Sequence, residues 1–114
     1  MISIFGLRRI IAKHLMICGI YPDKKAHDYI IDGVILYIDL CGKKFKVCNE
    51  IYMPIAQKYN VKLACVERNI RYVIANLNLE RYNEITNSQM NKLPTVKNFV
   101  ISFSKYIMRT LNIH

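Results

Sequence analysis

Glu67, Arg68 and Arg71 lie within little more than one helical turn of each other in the stretch YNVKLACVERNIRYVIANL, Tyr59 to Leu77. Arginine carries a planar fork of donors that fits the O6 and N7 acceptors of guanine, and glutamate can accept from cytosine N4. Wound as a helix from Leu63, the stretch puts Val66, Ile70, Val73, Ile74 and Leu77 on one side. Cys65, Arg68, Arg71 and Tyr72 fall on the other, with Glu67 and Asn69 at the flanks. One face is fit for burial and the other offers charged donors. The plainer reading is a solvated face with an ion pair inside the helix.

The surrounding charge favours the first reading. Lys plus Arg total 17 against 8 Asp plus Glu, a net charge of +9, which suits a polyanionic partner, nucleic acid before membrane. The signs are also segregated. Asp23, Asp28, Asp32 and Asp39 gather in one span, whereas Lys43, Lys44, Lys46, Lys58 and Lys62 follow with Glu50 as the one acid among them. Lysine in or near a turn can meet a phosphate, so Lys58, Lys62 and the trio Lys43, Lys44 and Lys46 are expected on a DNA backbone.

Other chemistries find little support. Cys18, Cys41, Cys48 and Cys65 form no CxxC pair, the histidines are isolated, and Cys41 and Cys48 lack histidine partners, so no metal is expected. There is no glycine-rich phosphate loop, no nucleophile beside a base and no pair of carboxylates at metal spacing; neither enzyme nor cofactor is implied. His14 and His27 read as structural. The apolar N-terminus MISIFGLRRIIAKHLMICGIY is broken by Arg8, Arg9, Lys13 and His14, which argues against a signal peptide or a membrane span. A cytoplasmic protein is expected.

The elements that must position these residues are helical. Ile4, Leu7, Ile10, Ile11, Leu15 and Cys18 predict a helix from Ile4 to Ile17, with Gly19 as terminator. Pro22 with Asp23 is expected to open the next, whose stripe is Ala26, Tyr29, Ile30, Val34, Tyr37 and Ile38. Asp28, Asp32 and Asp39 share a neighbouring face, read as solvated surface or as a docking face. Pro54 begins a short helix, Asn60 supplies a left-handed turn, Ala56 permits close helix approach and Val61 plugs the corner. A short helix and a loop follow, and Thr95 caps a last helix with Val96, Phe99, Val100, Phe103, Ile107 and Leu111 buried. With 53% hydrophobic residues, 4 Gly and 3 Pro, the chain reads as all-α. About six helices form one domain over 1–114, with a helix-turn-helix at about 52–77 and no wing.

The segments VERNIRYVIA (Val66–Ala75), PIAQKYNV (Pro54–Val61) and LPTVKNFVISFSKYI (Leu93–Ile107) carry a resemblance, and HLMICGIYPDKKAHDYI (His14–Ile30) adds a weaker one. Over roughly positions 10 to 111 the chain resembles the C-terminal DNA-binding effector domain of the sporulation-initiation response regulator, stage 0 sporulation protein A. The resemblance implies six helices, the fourth reading a short box in double-stranded DNA, often with two domains in tandem. Glu67, Arg68 and Arg71 match its base-contacting positions, with Cys65 and Tyr72 as secondary contacts. Cys65 stands where that family usually has arginine, and Tyr72 where it usually has histidine, so sequence preference is expected to be relaxed or shifted. The regulator's receiver domain precedes this module in the family, and none is expected in this chain, which starts a few residues before the module. Two alternatives remain at this point: an interaction module that pairs with a full-length regulator, and a nonspecific binder of anionic surfaces.

Overall fold

In the computed structural model, which describes residues 3–112, Ser3 starts the first helix by accepting the Gly6 N–H at 3.0 Å. That helix, α1, spans Ile4–Ile17 as its periodicity predicts. It ends in a Schellman turn: Gly19 takes φ +89°, and the Ile20 and Gly19 N–H groups return to the Leu15 and Met16 carbonyls at 2.9 and 3.0 Å. The Cys18 carbonyl accepts the Asn78 N–H at 2.9 Å, which ties this corner to a residue sixty positions further along the chain.

The second helix, α2, spans Lys25–Asp39 and opens later than the sequence suggested. Pro22 and Asp23 form a turn instead, and the extended backbone of Lys24 precedes the helix without a side-chain cap. This helix is the centre of the fold. It packs against α6 (Val96–Thr110), α4 (Leu63–Ala75), α1 and α3 (Met53–Tyr59). Ala26, His27 and every residue from Tyr29 to Val34 are buried as a result. Gly33 permits the closest approach, since a Cβ there would lie 3.3 Å from the Ile51 Cγ2.

Asp32 therefore departs from expectation. Asp28 and Asp39 are exposed, but Asp32 is only 7% exposed, because neighbours cover more of α2 than its apolar stripe alone. A π-helical turn at Val47–Tyr52, unmarked in the sequence, feeds directly into α3. The Glu50 carboxylate caps its start by accepting the Lys46 N–H at 2.6 Å.

Behind α4, the short helix α5 (Leu79–Thr86) and α6 close the core. Thr95 caps α6 by accepting the Asn98 N–H at 3.1 Å, as predicted. Tyr82, Phe99 and Phe103 stack in series, with centroids 5.5 and 5.4 Å apart. The fold is all-α with six α-helices and no strand among the described residues.

Candidate nucleic-acid interface

Three residues separate α3 from α4. Pro54 stands in the first turn of α3, where its fixed φ suits the helix. Asn60 ends it at φ 54°, ψ 48°, a left-handed geometry that asparagine tolerates better than most residues. The Val61 N–H then bonds back to the Ala56 carbonyl at 3.0 Å and turns the chain sharply. Ala56 is buried and Val61 packs on the core, so the two helices meet closely at this corner.

The apolar face of α4 is fully spent on packing. Val66, Ile70, Val73 and Ile74 are buried, and Leu77 stays buried just past the end of the helix. Burying one such side chain contributes about 1.5–3 kcal/mol, so the helix is held firmly in one rotation. Its outward face is thereby fixed. Arg68, Arg71 and Tyr72 are exposed, Tyr72 at 61%, while Glu67 and Cys65 are half-buried.

These side chains are not equivalent. The Arg71 guanidinium donates to the Glu67 carboxylate one turn back. Arg68 is in no ion pair among the described residues, and its fork faces solvent. Lys62 sits in extended backbone at the N-terminal boundary of α4, and no side chain caps that end. Uncapped N–H groups and the positive end of the helix dipole make this a place where a phosphate oxygen is favoured.

Lys58 is differently engaged. Its amine donates to Asp32 Oδ1 at 2.9 Å, Arg8 donates to the same oxygen at 2.6 Å, and the Tyr59 hydroxyl donates to Oδ2 at 2.5 Å. Burial alone would push the Asp32 carboxyl up. The bonds from Tyr59, Arg8 and Lys58 outweigh it and hold the group below its ordinary value. Burial and the bond to Asp32 in turn raise the Tyr59 hydroxyl. This cluster joins α1, α2 and α3, and so braces the first helix of the pair. No local pattern marks it, because Arg8 and Lys58 are fifty residues apart.

The loop lysines Lys43, Lys44 and Lys46 gather elsewhere. With Lys97 and Lys105 of α6 they line an open cavity of about 740 Å³ that no residue of α3 or α4 borders. The two α6 lysines are eight residues apart on one face, a spacing that was readable but lacked a partner element to give it meaning. Of the histidines, His14 bonds the Tyr106 hydroxyl at 2.8 Å, whereas buried His27 keeps its Nε2 without a partner among the described residues.

A helix pair locked by a left-handed asparagine, with an arginine-bearing outer face, agrees with what comparison of the sequence with protein families finds. The family described as "Sporulation initiation factor Spo0A C terminal" matches residues 11–107. The chain belongs to this family. The match runs from the buried centre of α1 through most of α6, so it takes in the helix pair and the core that supports it. Members of the Spo0A C-terminal family are DNA-binding regulatory domains, and this chain is a DNA-binding regulator in that general sense. The family is not one of enzymes. Comparison with curated proteins returns no match. Among the described residues no helix is long and apolar enough to cross a membrane.

Proposed function

We propose that the chain, as one DNA-binding unit, reads a short double-stranded box by laying α4 in the major groove. The observation that carries this reading is Arg68: an exposed guanidinium without an ion-pair partner among the described residues, on a helix whose opposite face is buried. Arg68 takes a guanine edge through N7 and O6. Glu67 accepts from a neighbouring base or aligns Arg68, and Arg71 leaves or keeps Glu67 as the groove demands. Lys62 and the uncapped end of α4 hold a phosphate, with Cys65 and Tyr72 as flanking contacts. Lys58 adds positive charge while it serves Asp32. The loop lysines Lys43, Lys44 and Lys46 stand outside this assignment, because their groove has no wall from α4. Work on chromosomal DNA puts the protein in the cytoplasm and makes it a transcription regulator.

Footprinting the protein alone on a duplex that carries the family's box tests the reading. Protection of the box is expected, and its length reports whether one copy or two side by side occupy the site. Absence of protection alone, with protection altered only when a full-length regulator is added, would overturn it in favour of a modulator that acts through that partner.

A further inference from the structure

We infer that the groove between the α2–α3 loop and α6 binds an acidic amphipathic segment of a protein partner. The groove begins at the C-terminal end of α2. Cys41 and Gly42 follow one another in left-handed backbone, φ 52° and 84°. Cysteine rarely adopts that conformation, whereas glycine takes it freely. The paired turn carries Lys43, Lys44 and Lys46 across to α6, where Lys97 and Lys105 face them.

All five lysines are exposed, and none is in an ion pair among the described residues. Glu50 is the one acid lining this cavity, and its carboxylate already accepts the Lys46 N–H. Five like charges around one groove repel one another, and an incoming anionic group relieves that repulsion.

The groove is more than a patch of charge. A second cavity of about 540 Å³ shares Tyr37, Gly42 and Lys105 with the first and extends over Ile38 and Met108. Asp39 is the one acid on its lining. The combined surface is thus basic at one end and largely apolar at the other, with Lys105 at the junction. Phosphates of a duplex would use the lysines and leave the apolar end empty. A helical segment with acids along one edge and aliphatic side chains along the other fills both. Stacked bases are disfavoured for a separate reason. Phe45 is already packed edge-on to Tyr37 at 5.5 Å and lies under the Lys97 ammonium at 5.2 Å, so neither ring is offered flat. No residue of α3 or α4 lines either cavity, which leaves the groove usable while α4 is occupied.

Fluorescence polarisation tests this with a labelled synthetic peptide about four helical turns long, glutamate and leucine placed on opposite sides. A control peptide of the same composition has its amphipathic order scrambled. Saturable binding is expected for the ordered peptide and a weaker one for the control. The double substitution Lys97→Glu/Lys105→Glu should weaken the ordered peptide about tenfold or more and leave the preference for box over scrambled duplex unchanged. Saturating box duplex should not displace the peptide. If the double variant loses helical circular dichroism, Lys105→Gln is read instead, with a loss of about threefold. Absent binding, equal binding of the two peptides, indifference to the substitutions or displacement by duplex would each overturn the assignment. Displacement together with equal loss of DNA affinity would make the groove a phosphate-contact surface.

Discussion

Arg8 and Arg68 carry the same guanidinium and end in opposite states. Arg8 reaches over a covered carboxylate and shares it with Lys58 and Tyr59. Arg68 projects from a helix whose neighbours on that side are arginine, tyrosine and water. The difference lies in where the acids fall. Asp32 sits on the helix that most others touch, so the cations near it become part of the frame. On α4 the one acid, Glu67, reaches Arg71 and leaves Arg68 open. A surplus of positive charge is therefore two things at once. Some of it is consumed in holding α1 and α3 against α2, and only the remainder is available to a polyanion.

The largest expected effect breaks the first half of that comparison. Asp32→Ala removes the shared acceptor and should cost about 3 kcal/mol in urea unfolding, the lower end for a broken buried ion pair because Lys58 and Arg8 can still reach water. A loss under about 1 kcal/mol, as for exposed pairs, would make the cluster surface decoration. Acid titration sharpens the same point. The Asp32 carboxyl is held below its ordinary value of 3.8, so its bonds stabilise the fold above that pH and the contribution is lost as pH falls through the lowered value. The stability gap between the wild type and Asp32→Asn should narrow over that acid range and stay constant between neutrality and pH 5.

Arg68→Ala addresses the other half. Discrimination between box and scrambled duplex should fall by about 1–3 kcal/mol, with thermal stability unchanged. An equal loss on both duplexes would reduce Arg68 to a phosphate contact. Lys62→Ala should weaken every duplex alike and lower the salt slope by about one contact. Glu67→Gln is the smallest effect, about 0.3–0.5 kcal/mol of helix stability from the lost pair with Arg71. It tests whether that pair is more than a crossing of mobile side chains, and a double-mutant cycle with Arg71→Gln reads it directly.

Much of the fold was legible because local chemistry marks it. Gly19, Asn60 and Thr95 stand where backbone angles or orphan N–H groups demand those residue types, and the apolar stripes of α1, α4 and α6 follow one period. Where the sequence misled, the cause was tertiary. Periodicity assigns a helix one buried face, but α2 is covered on several, and so Asp32 passed for surface beside Asp28 and Asp39. Pro22 looked like a helix start, yet the chain turns once more before α2 begins. The π-helical turn had no residue signature. The outer face of α4 was readable as the complement of its inner stripe, and the observed Glu67–Arg71 pair is the one that the plainer reading of a solvated face expected. The five-lysine groove was not, because Lys43 and Lys97 meet only after the chain has folded over most of its length.

On the proposed function, α4 reads base sequence rather than phosphate alone. Titrating the protein into labelled box and scrambled duplexes at several salt concentrations tests it most directly. Tighter binding to the box, with a preference that survives as salt weakens both complexes, is the result this account requires. Equal affinity for the two duplexes, falling together with salt, would contradict it and leave only electrostatic attraction.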